Sequence, residues 1–355
     1  MFTAPGRRDT RAVWEERTDR VRRDVVALAA SGAGVAELHE AAGALVQRVV
    51  PADLACWAAI DPQTLVISSM VPGTNVLPPK LAPALAAAEY SGPSEPHRFA
   101  DMARSGRRVA LHSELARPER ERSRRATDVW RPLGLNREVR TVLLADGACW
   151  GGVGMVRSGP DFSDREVDFL AAVSSAVAVA TRLAVRAHPP GGVPHDPAVA
   201  VVGADGTPLA MTAAAREWQQ LLDDGAPGRF PILMAALAAG AWVHGTARTR
   251  VQSREGGWVL LHGSRLLGDE RQTAVVIETA TGAQLLGLLL TAFALTARER
   301  EVCREVLAGS STTDIARHLA ISPYTVQDHL KAVFAKTETR SRGELVTRLQ
   351  PAGTP

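Results

Sequence analysis

The sequence predicts a multidomain chain: one α+β unit, a second α+β unit, and then an all-α module of four helices. Three observations carry this. At ~150 residues per domain, 355 residues divide into two or three ordinary cores. Strand-length apolar runs separated by turn residues occur in two blocks, with a Pro- and Gly-rich stretch at 188–197 between them. Beyond residue 295 the strand pattern stops, and three capped helix starts follow in close succession.

Composition narrows the class. Hydrophobic residues make up 46% and charged residues 22%, a globular balance that excludes disordered or collagen-like chains. No apolar run approaches the ~20 residues of a membrane helix, and MFTAPGRRDTR lacks a signal peptide's apolar stretch, so a cytoplasmic protein without a membrane partner is expected. Cys56, Cys149 and Cys303 are far apart, odd in number and without a C-x-x-C pair, so reduced, mostly buried thiols are expected. A net charge of +3 is too small to indicate a nucleic-acid partner by itself.

Residues 1–34 hold an N-terminal charged helix over 7–30, in which Val13, Arg17, Val21, Val25 and Leu28 trace a rough 3.6 period. It reads either as a solvated leading helix or as a dimer-forming one. The first α+β unit spans 35–187. It opens with a helix at 36–50, a strand at 54–60, the turn Asp61-Pro62-Gln63 and a strand at 64–71. A strand at 139–145, an Asp146-Gly147 hairpin turn and a strand at 148–156 follow, and Ser163 with Glu166 forms a capping box, worth ~1 kcal/mol, before a long helix. One antiparallel sheet is implied.

The linker is 188–197. The second unit, 198–280, offers a strand at 198–202, the turn Ala204-Asp205-Gly206-Thr207, a helix at 212–222, and strands near 244–253, 257–262 and 273–278. A connecting helix fills 281–294; its Leu285, Leu286, Leu288, Leu289 and Leu290 make it apolar nearly all round, so another surface must cover it.

The module at 295–355 is the most legible. Thr296 and Glu299 form a capping box, Val302, Cys303, Val306 and Leu307 share a face, and Gly309 suits a left-handed terminus. Ser311 caps a short second helix. Ser322 caps a third, with Pro323 at its first position. There Val326, Leu330, Val333 and Phe334 point inward, leaving Thr325, Gln327, Asp328, Lys331 and Lys336 outside. A short helix, a tight turn and a longer helix with one polar face make a helix-turn-helix.

Three resemblances follow from these residues. The block 35–187, ending in FSDREVDFLAAVSSAVAVATRL, resembles a GAF sensor domain; the block beginning AVVGADGTPLAMTAAAREW resembles a PAS-like domain. The segment with L-T-x-R-E-x-E-V, D-I-A-x-x-L-x-I-S, T-V-x-x-H-L and S-R-x-E-L-V resembles the LuxR-type helix-turn-helix of bacterial transcription regulators. That last resemblance implies that Thr325 and Val326 begin the recognition helix, that Gln327, Asp328 and Lys331 line its DNA side, and that Lys336, Arg340 and Ser341 approach phosphates. It also implies a fourth helix at 342–349 that helps dimerisation. His329 lies on the same helix, for packing or a phosphate contact. Two positions depart from the pattern: Cys303 replaces a leucine, and Glu338 stands where a glycine is expected, which leaves the loop before Ser341 open to question.

Enzyme signatures fail. Gly152-Val153-Gly154 lacks the third glycine of a dinucleotide loop and lies in a strand, His39-Glu40 lacks a second histidine, and no G-x-x-x-x-G-K-[ST] loop occurs. No catalytic residue, cofactor or metal is therefore expected. His39, His112 and His262 do not cluster. The mixed-sign run 117–125 reads as a solvated helix face or as an anion or second DNA contact, and Trp57, Trp130, Trp150 and Trp218 as core or pocket wall. The expected function is sequence-specific binding of double-stranded DNA by a homodimeric regulator, its N-terminal half answering to a small-molecule effector. The alternative is a scaffold controlled by a protein partner.

Overall fold

Residues 8–73, 75–90, 95–187, 196, 198–223, 229–253, 257–268 and 270–349 are described by the computed structural model. The expected linker, apart from Asp196, and residues 350–355 lie outside the described residues.

In the first unit α1 (Arg8–Leu28) and α2 (Val35–Gln47) precede β1 (Leu54–Ile60) and β2 (Ile67–Pro72). Then come α3 (Ala82–Tyr90), α4 (Phe99–Ser105), β3 (Val109–Leu111), α5 (Arg117–Arg122), β4 (Arg137–Ala145), β5 (Ala148–Arg157) and α6 (Asp164–Ala187). The five strands form one sheet in the order β2-β1-β5-β4-β3, antiparallel throughout. Alternation along the strands gives each face its own cover. Trp57, Val139, Leu143 and Val153 join the core with α1, α2 and α6, while Ala58 and Val142 pack with Phe99 and Met102 of α4. Asp146 (φ 50°) and Gly147 (φ 73°) are both left-handed, the geometry of a tight two-residue hairpin. Gly152 sits in β5 where a Cβ would lie 2.6 Å from the Phe99 ring, so the glycine serves packing.

Three expectations change here. Glu166 does reach back to the Ser163 amide (2.8 Å), but the Ser163 hydroxyl donates to the same carboxylate (2.9 Å), and Arg157 grips it at 2.9 Å from both terminal nitrogens. The first helix is docked: Thr18, Val21 and Val25 are buried. By length and composition alone the 24-residue α6 is long and apolar enough to cross a membrane, contrary to the sequence reading. In this fold half of its apolar window is buried, with Phe169, Leu170, Val173 and Val177 in the core.

The second unit holds β6 (Ala198–Val202), β7 (Pro208–Met211), α7 (Ala213–Asp223), α8 (Arg229–His244), β8 (Thr246–Gln252), β9 (Trp258–Arg265) and β10 (Thr273–Thr279). Its sheet order, β7-β6-β10-β9-β8, repeats that of the first unit. Helix α8 has no counterpart among the expected elements; it is apolar all round and packs Phe230, Leu233, Met234 and Leu237 into the sheet's inner face. Gly206 (φ 81°) holds the β6–β7 turn so close to α8 that a Cβ would lie 2.3 Å from the Ala235 Cα, a separation only glycine tolerates.

Helix α9 (Gly282–Ala292) is capped by Thr281 and Gln284 and buries Leu285, Leu288, Leu289 and Leu290. Its cover comes from the same chain: these leucines share a cluster with α6, with Trp258 and Leu260 of β9, and with the C-terminal helices.

Candidate nucleic-acid interface

The C-terminal module consists of α10 (Ala297–Leu307), α11 (Thr312–His318), α12 (Pro323–Thr337) and α13 (Arg342–Leu349). Each start is held as its sequence dictates. Thr296 accepts from the Glu299 amide (3.3 Å) and Glu299 accepts in return from the Thr296 amide (2.7 Å). Ser311 accepts from Asp314 (3.2 Å), and Ser322 from Thr325 (3.0 Å). Helix α10 stops at Gly309 (φ 84°), with the Ser310 amide bonded to the Glu305 carbonyl (3.0 Å), a complete Schellman closure. The α11–α12 turn repeats it with Ala320 at φ 51° and the Ile321 amide on the Ala316 carbonyl (3.0 Å). That turn sets the angle at which α12 leaves.

The inner face of α12 is fully buried through Val326, Leu330 and Val333, which meet Val302, Cys303 and Ile315. Cys303 fills the expected leucine position with no exposure, and burial pushes its thiol up to about 12. On the opposite face Gln327, Asp328 and Lys331 are exposed. Lys331 lies 3.2 Å from Asp328, and the Gln327 amide 3.4 Å from the Thr312 hydroxyl. Thr325 is half-buried, its hydroxyl 2.9 Å from that of Ser322, and His329 is half-buried beside them. Arg340 and Ser341 are exposed in the turn before α13, which Ser341 caps through the Glu344 amide (3.2 Å).

Two expected contact residues belong elsewhere. Val326 has no exposed surface, because it is an inward position of the first turn. Lys336 turns onto the module itself: its ammonium is 2.6 Å from Glu299 and 3.3 Å from the Ala294 carbonyl. Burial would raise the Glu299 carboxyl, but the hydrogen bonds from Lys336 and the Thr296 amide outweigh it and hold the group below its ordinary value. One exposed residue was missed: Tyr324, 74% exposed at the second position of α12. Its place beside the inward Val326 was the available signal.

Glu338 answers the question left by the missing glycine. It adopts φ 55°, the left-handed conformation itself, and its carboxylate pairs with Arg186 of α6 and, at 3.5 Å, with Arg348 of α13. Both arginines lie over the Phe293 ring, at 5.0 and 5.5 Å.

A second cluster, which sequence reading also missed, lies on the outer face of the first sheet. Arg125, at the end of the basic run, is fully buried, donates to Glu138 (2.7 Å) and is ion-paired with Glu95 (3.1 Å). Arg140 bonds Glu89 (2.6 Å) and stacks 3.7 Å over Phe99, while the Trp130 indole donates to Glu138 (3.1 Å). Burial opposes the charge on Glu138, but the two guanidinium groups outweigh it and hold its carboxyl at about 2. Only about 40 Å³ of space remains beside this network. The signal was the placing of Glu138 and Arg140 on alternate positions of a strand that also holds Val139, Val142, Leu143 and Leu144.

A short helix, a Schellman turn and a longer helix with its polar side exposed define a helix-turn-helix. Residues 294–349 match the family model of bacterial regulatory proteins of the luxR family, so the C-terminal module is a luxR-type helix-turn-helix. Over 54 residues it is 54% identical to the monoamine regulon transcriptional regulator of Klebsiella aerogenes, a match covering 15% of this chain and 24% of that protein. Over 61 residues it is 48% identical to a putative HTH-type transcriptional regulator of Mycobacterium bovis, covering 17% and 7%. The match thus spans about a quarter or less of these relatives' length. Among solved structures, the Vibrio cholera VqmA-Ligand-DNA complex is 18% identical with a TM-score of 0.21, covering 43% of this chain and 80% of that one. The bacteriophytochrome RpBphP3 of R. palustris is 10% identical with a TM-score of 0.29, covering 73% and 62%.

Proposed function

We propose that the chain is a cytoplasmic, non-enzymatic transcription regulator that binds double-stranded DNA as a homodimer through α12. The observation that carries this reading is the division of α12 within a luxR-type module: Val326, Leu330 and Val333 are buried, while Gln327, Asp328 and Lys331 stand exposed. Gln327 is suited to a bidentate contact with adenine and Asp328 to accepting from cytosine N4. Lys331 and Arg340 neutralise phosphate, with Thr325, His329, Ser341 and Tyr324 at the margin. Two such helices ~34 Å apart meet successive major grooves. The module carries nine basic against seven acidic residues from Thr291 onward, so one copy has a shallow salt dependence and a dimer is needed for useful affinity.

In this reading 35–187 is a GAF-like and 198–280 a PAS-like unit, and both control the module. Their common strand order supports the assignment. The Arg125–Glu138 network fills the outer face of the first sheet and leaves little room for a small ligand there.

The test is selection of bound genomic fragments by the full chain, followed by gel shift on the selected site. Lys331→Ala should weaken binding to all sequences, and Gln327→Ala should relax preference at one base pair by ~1–3 kcal/mol. Unchanged affinity and selectivity in both variants would overturn the assignment of α12.

A further inference from the structure

A cavity of about 320 Å³ lies between the two sheet-bearing units, lined among others by Ser69, Trp150, Arg229, Gln252, Trp258 and Leu288. Its charges are unequally satisfied. Arg250 is fully engaged, its Nη1 2.6 Å from Asp61 and its Nε 2.7 Å from the Gln284 carbonyl of α9. Glu37 and Glu40 also line the cavity but are exposed to solvent, which screens them. Arg229 is 5% exposed and has no ion pair with any described carboxylate.

Its contacts are carbonyls alone: Nη2 donates to Ser68 (3.2 Å) and to Gln252 (3.0 Å), and Nε has no partner. Burial brings the guanidinium down to about 10, with Asp223 opposing that only weakly. Three further buried donors in the same wall lack a described partner: the Ser69 hydroxyl, the Trp150 indole N–H and the Gln252 amide. Each buried orphan donor carries a desolvation cost, and a buried lone cation a larger one. Donors without acceptors, gathered around one unpaired cation, make a site whose acceptor comes from outside the chain.

We propose that this cavity binds a small organic monoanion, its carboxylate held by Arg229 with Ser69 and Gln252, its apolar body against Trp258 and Leu288. One unpaired guanidinium and two rim carboxylates select a single negative charge over a phosphate. The inference rests on the regulator reading and deepens it. Leu288 belongs to α9, which leads directly into the helix-turn-helix, and Arg250 ties the cavity wall to the α9 backbone.

The test is thermal unfolding of the full chain at constant ionic strength with three probes of one shape: benzoate, benzamide and benzylammonium. Benzoate should raise the Tm saturably, with an apparent affinity about tenfold above benzamide, and benzylammonium should do least. Arg229→Met should abolish the preference for benzoate. Ser69→Ala, a change too small to threaten folding, should weaken benzoate about three- to tenfold and carries the test if Arg229→Met does not fold. An equal response to all probes, no response, or an unchanged benzoate response in Ser69→Ala would overturn the site. Gel shifts run in parallel keep the two readings apart. Benzoate binding through Arg229 without any DNA shift overturns the regulator reading alone, and DNA binding without charge-selective probe binding overturns this one alone.

Discussion

The two sheets run their strands in the same order, yet they treat charge and cover differently. The first is sandwiched: helices lie on both faces, and on the outer one Arg125, Arg140, Glu89, Glu95 and Glu138 close on each other with almost no space left. The second is covered on its inner face by α7 and α8, while on its outer face the cross-strand pair Val199 and Val276 is 40% and 36% exposed. At the start of α8, Arg229 is buried without a carboxylate partner. Equal topology therefore does not imply equal use: the outer face of the first sheet pairs its buried charges with one another, whereas Arg229 of the second unit is buried without a carboxylate.

The contrast is greatest at Glu138. Glu138→Ala leaves Arg125 with Glu95 alone and Arg140 with Glu89 alone in the interior and should cost about 3–5 kcal/mol in urea unfolding. A loss below ~1 kcal/mol would mean that the network is wet and this face no more dependent on its ion pairs than the second unit.

Acid should also separate the units. Burial holds His39 at about 4 against an ordinary 6.5, with its Nε2 2.9 Å from the Thr181 hydroxyl. Its neutral form is the native one, and the unfolded chain takes up a proton first. Stability is full above pH 6.5 and falls by about 3 kcal/mol as pH drops to 4. Hydrogen exchange should show β4 amides losing protection across this window, and His39→Leu should flatten the slope.

Smaller still is the difference between the outer faces. Val142→Thr, at a fully buried position of the first sheet, should cost about 2 kcal/mol, and Val276→Thr less than about 0.5. Equal costs would reveal that the outer face of the second sheet is covered in solution. Least of all, Arg186→Ala removes a partly exposed tie to Glu338 and should change stability by under ~1 kcal/mol, an effect that vanishes in high salt.

What was legible followed from locality. Thr296, Ser311, Ser322 and Gly309 act on residues three to five positions away, so the module's helices and turns could be read directly, and the inward set of α12 left Gln327, Asp328 and Lys331 outside. Lys336 was misread because its partner, Glu299, lies 37 positions upstream. Helix α8 escaped because Phe230, Leu233, Met234 and Leu237 sit among alanines buried on every side, which erases the one-sided period. With α8 went Arg229 at its start. Arg125 was hidden by its neighbours: a basic run describes a solvated face until one member finds carboxylates from distant strands and loops.

Helix α6 gathers several of these features into its last turns. Thr181 and Val185 line the cavity between the units, while Arg182 holds the Ala292 carbonyl (3.2 Å) at the end of α9 and Arg186 holds Glu338 behind α12. Residues 185 and 186 are adjacent, so the wall that would feel an occupant and the hand that holds the reading head differ by one peptide unit. A helix turn is ~5.4 Å long and stiff. If the cavity is occupied as proposed, a roll of that one turn would reach Glu338 without a relay of side chains across the molecule.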